Sequence, residues 1–238
     1  MADSLQQLRD EVLACRRCPR LVVYRERVAH EKKKQFRGDT YWGRPVPGFG
    51  DPGARLVLIG LAPAAHGSNR TGRVFTGDRS AAFLVGALHA AGFANQPAST
   101  ARGDGLHYND AYLTAAVRCV PPDNRPLPAE KANCLPYLSR ELRLLPRARS
   151  LLALGGFAWE ALRDAVPELY GLPRPNAEFA HGRCVPLGPG HPMLWASYHP
   201  SPQNTNTGKL TTSMFVELLD HIRTSWSTGN TDSARRQG

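Results

Sequence analysis

The 238-residue chain has 30 Lys or Arg against 20 Asp or Glu, a formal charge of +10, a sequence pI of about 9.8 and 42% hydrophobic residues. That length and apolar content can bury one full core, so a single domain is expected, and the excess positive charge favours a polyanionic partner over an acidic or neutral protein surface. The longest apolar stretch, Leu56 to Ala65, is about half of what a membrane-spanning helix needs, which argues against a membrane protein.

Met1 to Leu13 carries Asp3, Arg9, Asp10 and Glu11 and lacks the apolar centre of a secretory leader, so a soluble, cytoplasmic protein is expected. An amphipathic start, Ser4 to Ala14, runs into a Cys15 to Cys18 turn and a basic helical stretch from Pro19 to Lys34. From Arg16 to Arg44 there are ten Lys or Arg against three acidic residues. Such a run reads equally well as a solvated face or as a nucleic-acid contact, and the whole-chain charge tips it toward nucleic acid. Gly38 to Pro52, rich in Gly, Pro and aromatics, is expected to be an ordered loop.

Arg55 to Leu61 is a continuous apolar run ending in a Gly and Pro turn, as in a strand buried on both faces. Further buried strands are expected over Ala111 to Val117, Ser150 to Gly155 and Leu194 to His199. Helices are expected over Arg79 to Ala91, Pro128 to Leu144, Phe157 to Ala165 and Leu210 to Ser225. This alternation predicts a three-layer α/β/α domain over residues 1–225, with a central, mostly parallel sheet of about four strands. The small polar residues from Trp226 to Gly238 are expected to form a disordered tail.

In an open parallel sheet, ligands bind at the carboxyl ends of the strands. Three loops there are rich in Gly, Asn, His and Arg: Gly60 to Asp78, Arg118 to Arg125 and His199 to Gly208. The first has two glycines at P-loop spacing, but Arg73 and Val74 replace the Lys and Ser or Thr that a triphosphate needs, and no dinucleotide fingerprint follows a strand. Its small residues can present backbone N–H groups to a developing negative charge. Phe75 and Asp78 are close enough in chain to line one pocket, although Asp78 also fits a helix N-cap and Phe75 fits core packing. In the last loop, a Pro-flanked His199 stands beside Ser201, Gln203, Asn204, Thr205, Asn206 and Thr207, neutral groups suited to phosphate oxygens and base edges.

Five cysteines in a cytosolic chain point to metal, catalysis or burial rather than disulfides. Cys15 and Cys18 form a C-x2-C pair, and Cys119 and Cys134 could meet them at one centre. Four thiolates suit zinc or an iron-sulfur cluster, and the spacing alone leans toward zinc. Cys184 has no partner at metal spacing and reads as a buried or free thiol.

Together these segments resemble the uracil-DNA glycosylase superfamily, and within it the iron-sulfur family 5, also called type B. The likeness runs from about Leu13 to Phe215. GLAPAAHGSNRTGRVFTGD, residues 60–78, is similar to the family's first active-site motif, and YHPSPQNT, residues 198–205, to its second. The resemblance assigns Cys15, Cys18, Cys119 and Cys134 to a 4Fe-4S cluster, against the zinc that spacing favoured. It differs from the related iron-sulfur family 4 at two points. Leu61 stands where that family has Glu, and the strand reads Tyr112, Leu113, Thr114, Ala115 where family 4 has Asn as the fourth residue for uracil recognition.

The resemblance implies a monomeric, monofunctional DNA glycosylase of base excision repair that acts on DNA carrying a deaminated base. Uracil is the expected substrate, and the missing Asn suggests hypoxanthine and xanthine as well. Asp78 and His199 are the expected catalytic residues. Gly60, Leu61, Ala62, Phe75 and Asn124 are expected at the base, and Ser201, Gln203 and Asn204 at the DNA strand. The alternatives are a non-catalytic iron-sulfur module that only binds DNA, a relative that bonds covalently to its product, and a zinc-binding adaptor. The second carries an extra basic insert in the first motif that is missing here.

Overall fold

The computed structural model describes residues 3–228. Two amino-terminal helices, α1 (Leu5–Ala14) and α2 (Pro19–Glu31), precede a short strand, β1 (Phe49–Gly50), and the first buried strand, β2 (Leu56–Gly60). The chain continues through α3 (Ser68–Thr71), α4 (Arg79–Ala90), β3 (Ala111–Ala115), α5 (Pro128–Arg143), β4 (Ser150–Leu154) and α6 (Gly156–Tyr170). It ends with β5 (Cys184–Pro186), β6 (Met193–Ser197), α7 (Pro202–Asn206) and α8 (Thr212–Thr228).

The sheet has six strands, in the order β1-β3-β2-β4-β6-β5, rather than the four expected. The four anticipated strands form its parallel centre, with Leu58 opposite Leu113 and Leu152, and Leu152 opposite Trp195. The two additional strands are antiparallel edges, β1 on β3 and β5 on β6. They are two and three residues long and not fully buried, so they carry neither a continuous apolar run nor an alternation that would distinguish them from loop.

The central strands are largely apolar because both faces are covered, and their polar exceptions, Thr114, Ser150 and Ser197, are buried with hydrogen-bond partners. Leu56, Leu58, Leu113, Leu152 and Leu154 face a layer that includes α4 and α8, whereas Val57, Ile59, Leu151 and Ala153 face α5 and α6. Each strand therefore divides its side chains between two cores by the two-residue period.

Helix boundaries differ from expectation at three ends, and α6 runs five residues past the expected Ala165, to Tyr170. The basic helix α2 stops at Glu31 because Lys32 turns into a left-handed conformation (φ 53°), and its amine donates to the carbonyls of Asp39 at 2.7 Å and Arg37 at 3.3 Å. At the other end α8 runs to Thr228, past the expected start of the tail at Trp226. The Trp226 ring is buried, donates to Ser150 Oγ at 3.0 Å and meets Phe93 edge-on. Residues 229–238, the rest of the expected tail, lie outside the described residues.

Candidate active site

From β2 the chain passes to β3 on one side and then crosses to β4 on the other, so the connections diverge at β2. A pocket of about 810 Å³ opens at that point, within the range of ligand sites. All four parallel strands supply its floor from their carboxyl ends: Gly60 at the end of β2, Ala115 at the end of β3, Gly155 after β4, and Tyr198 and His199 after β6. Every expected non-metal site residue lines it: Gly60, Leu61, Ala62, Phe75, Asp78, Asn124, His199, Ser201, Gln203 and Asn204.

Asp78 does both things its position suggested. It is the N-cap of α4, its Oδ1 accepting the Ala81 N–H at 2.8 Å, and it also lines the pocket. Burial raises its pKa above the ordinary 3.8, partly offset by the backbone N–H groups of Ala81 and Ser80 and by the Arg70 charge. Its other oxygen lies where a side chain at residue 67 would begin: a Cβ on Gly67 would be 1.9 Å from Oδ2. Arg70 stiffens the surrounding loop, donating to the His66 carbonyl at 2.8 Å, the Gly77 carbonyl at 3.0 Å and Asp39 Oδ2 at 2.6 Å, with its guanidinium 3.9 Å from the Phe36 ring centre.

Phe75 adopts a left-handed conformation (φ 47°), which is costly for an aromatic residue and here aims its ring over the end of β2. A Cβ on Gly60 would meet that ring at 2.7 Å, so this glycine permits the approach. The Phe75 and His199 rings are 6.4 Å apart. Among the described residues no hydrogen bond reaches the His199 imidazole, and burial pushes its pKa down to about 4, so it is neutral at physiological pH. Its backbone is fixed: the carbonyl accepts from Ser201 N–H and Asn204 Nδ2, each at 2.8 Å. One residue earlier, the Tyr198 N–H donates to His181 Nδ1 at 3.3 Å, and the His181 ring stacks on Tyr198.

The third wall carries Asp123, Asn124 and Arg125. Asp123 and Asn124 take consecutive left-handed conformations (φ 54° and 55°), which these two residue types tolerate better than most. Phe179, Tyr198, Gly155 and Lys209 also line the pocket and were not anticipated. Tyr198 could have been found from its place beside His199. Phe179 sits in an irregular segment without a motif, and nothing local marks it.

The four expected cluster cysteines, Cys15, Cys18, Cys119 and Cys134, line a second, smaller cavity that shares no lining residue with the pocket. Its wall also includes the buried Arg25 and Arg118 and has no carboxylate. Arg25 donates to Cys119 Sγ at 3.0 Å, and Asn133 Nδ2 donates to Cys18 Sγ at 3.4 Å. Burial pushes the bare thiols of Cys119 and Cys134 up to about 11 and about 12. Among the described residues no three His, Cys, Asp or Glu side chains are placed to hold a single metal ion. Cys184 lies apart, half-buried in the edge strand β5.

The fold and pocket together define an α/β enzyme with its site at the carboxyl ends of a parallel sheet. The family model described as the uracil DNA glycosylase superfamily matches residues 47–223. A type-5 uracil-DNA glycosylase of Thermus thermophilus is 55% identical over 206 residues, covering 87% of this chain and 91% of that protein. Its namesake from Mycobacterium bovis is 50% identical over 92% of this chain and 80% of its own length, and that of Pyrobaculum aerophilum is 46% identical over 88% of each. The chain belongs to the uracil DNA glycosylase superfamily, among the type-5 enzymes, and is therefore a DNA glycosylase, a hydrolase of the N-glycosidic bond.

Proposed function

We propose that this chain excises uracil from DNA in base excision repair and that it also accepts hypoxanthine and xanthine. The observation that carries this reading is the convergence of Asp78, His199 and Phe75 on one pocket at the carboxyl ends of the sheet. A target nucleotide is extruded from the duplex at a cost of roughly a few kcal/mol, less where deamination has left a mispair. Phe75 stacks on the extruded base while the backbone from Gly60 to Ala62 meets its polar edge. Ser201, Gln203 and Asn204 hold the strand, and Asn124 borders the base from the opposite wall.

As the glycosidic bond breaks, negative charge develops on the departing base and positive character on the sugar. The neutral His199 and loop amides stabilise the first by hydrogen bonding. Asp78, as a carboxylate, stabilises the second and orients the water whose oxygen bonds to C1′. The bonding pair leaves with the base, which gains a proton, and the water loses one. Lys209 lines the pocket, but its amine is placed over the Tyr198 ring, and the attacking group in this scheme is water, so the product is an intact strand with an abasic site.

The wider substrate range rests on Ala115 in the pocket floor. A methyl group there leaves the base's polar edge to backbone groups, whereas a hydrogen-bonding side chain would reject mismatched partners strongly.

Cys15, Cys18, Cys119 and Cys134 would hold the 4Fe-4S cluster. The cavity suits an anionic group of several atoms, because all four sulfurs border it, no carboxylate lines it, and the buried Arg25 donates to Cys119 Sγ, whereas Arg118 is paired with Glu141 behind the wall. Bound there, the cluster supplies cross-linking between the amino-terminal helices and the β3–α5 segment. No helix among the described residues is long and apolar enough to cross a membrane, and a cytoplasmic monomer is the form proposed.

The test is a panel of otherwise matched duplexes carrying uracil, hypoxanthine or xanthine, read by alkali-labile cleavage. Release of all three bases is expected. Uracil release at full rate with no action on hypoxanthine would confine the function to uracil.

A further inference from the structure

Strand β6 ends at Ser197, and the chain then delivers Tyr198 and His199 to the pocket. N–H groups two residues apart on a strand point the same way, so those of Ala196 and Tyr198 both face the β5 edge. Ala196 forms an ordinary rung there: its N–H donates to the Arg183 carbonyl at 2.9 Å, and its carbonyl accepts from Gly182 N–H at 2.8 Å. Backbone pairing stops at that rung. Gly182 is left-handed (φ 76°), and Arg183 N–H closes the turn on the Ala180 carbonyl at 3.1 Å, so the chain before Gly182 leaves the sheet.

The next rung is filled by a side chain. His181 Nδ1 lies 3.3 Å from the Tyr198 nitrogen, and its ring stacks on the Tyr198 ring with centres 5.1 Å apart and planes at 17°. An amide nitrogen only donates, so Nδ1 accepts, which leaves the ring proton on Nε2. Burial lowers the His181 pKa below the ordinary 6.5, and the ring is neutral at physiological pH. The buried Ser197 Oγ is 3.3 Å from the same Nδ1 and donates to the Tyr198 carbonyl at 3.0 Å.

With the His199 carbonyl held by Ser201 and Asn204, successive peptide units are pinned all the way through the turn into the pocket. Among the described residues the His199 imidazole has no hydrogen bond of its own, so its direction follows from this backbone. Close packing adds to the constraint, since a Cβ on Gly155 would lie 3.2 Å from His199 Cβ.

We propose that His181 is a positioning residue for base release, acting through the Tyr198 peptide to aim His199 at the departing base. This rests on the glycosylase reading above. His181 lies outside both pocket motifs, residues 60–78 and 198–205, and does not itself line the pocket. A group that stabilises developing charge works only when it is already in place, and a misplacement of about 1 Å can cost on the order of 10² in rate.

The experiment measures single-turnover uracil release and duplex affinity for the full chain and two variants. His181→Phe keeps a stacked ring and removes the acceptor, and release is expected to fall about tenfold or more with duplex affinity unchanged. His181→Asn carries its amide oxygen on the same Cγ that bears Nδ1, so it keeps the acceptor without the ring and should restore most of the wild-type rate. Wild-type release by His181→Phe, equal losses in both variants, or a loss matched by weaker duplex binding overturns the positioning role while leaving the glycosylase reading intact. Nitrogen NMR spectra of the wild-type protein at neutral pH should show the His181 proton on Nε2, and a proton on Nδ1 overturns the proposal without any variant. A wild-type chain that releases no uracil overturns both readings.

Discussion

The pocket and the cysteine cavity are both lined with chemically able side chains, but they treat them in opposite ways. In the pocket, Asp78 has one oxygen bound to the Ala81 N–H, and His199 keeps an imidazole with no hydrogen bond among the described residues, so both retain capacity for a ligand. In the cavity, Arg25 and Asn133 already donate to Cys119 and Cys18, and no carboxylate is among the lining residues. Polar capacity held open in a concave site marks chemistry, whereas capacity directed at neighbouring sulfur marks a structural centre. The regions nevertheless touch: Ala62 lines the pocket and also packs against the core around Cys119 and Cys134.

Asp78→Asn should sharpen the contrast most. Base release is expected to fall by a factor on the order of 10² or more, with DNA binding retained. Asn caps a helix about as well as Asp. The raised pKa of Asp78 means that its ionisation costs stability at neutral pH, so thermal unfolding should occur at or above the wild-type temperature. Wild-type turnover in this variant would reduce Asp78 to a cap.

Glu141→Gln tests the ground between the two regions. Glu141 is buried and accepts from Arg118 at 2.6 Å, Thr114 at 2.5 Å and Tyr112 at 3.0 Å. Arg118 borders the cysteine cavity, and Thr114 precedes Ala115 of the pocket. Removing this charge strands Arg118, and a loss of roughly 3–5 kcal/mol of stability is expected in denaturant titrations. A loss below about 1 kcal/mol would mean that the network is not a shared support.

A smaller effect is expected from Asp104→Asn. Burial alone would raise the Asp104 pKa, but Arg73 at 2.7 Å and the N–H groups of Thr100, Leu106 and Ala101 outweigh it and hold the carboxyl far below its ordinary range. Its contribution is therefore present above the unfolded value of 3.8 and is lost as pH falls below that toward the native value. The substitution should cost about 1–3 kcal/mol at pH 7 and almost nothing in strong acid. A pH-independent cost would assign the effect to packing.

The sequence made the centre of this molecule legible and its margins less so. Four mostly apolar runs identified the parallel strands because burial on both faces admits few polar residues, and the rule for carboxyl-end loops then led to the pocket. The edge strands Phe49–Gly50 and Cys184–Pro186 were missed because pairing on one side requires so little of two or three residues. Trp226 looked like the start of a polar tail because its neighbours are small and polar, although its partners, Ser150 and Phe93, lie far away in sequence. Phe179 reaches the pocket by tertiary packing alone. The glycines illustrate the same limit: Gly60 and Gly67 read as loop residues, and their need to leave space for the Phe75 ring and the Asp78 carboxylate shows only in three dimensions.

The most direct measurement places the full chain in excess over one uracil-containing duplex and follows both free base and strand length. The account predicts stoichiometric release of uracil, with a strand that stays intact until alkali cleaves it at the former uracil. Tight binding of the duplex with no free uracil would contradict it and leave a DNA-binding module, and a nick without alkali would contradict the monofunctional chemistry assigned to Asp78 and His199.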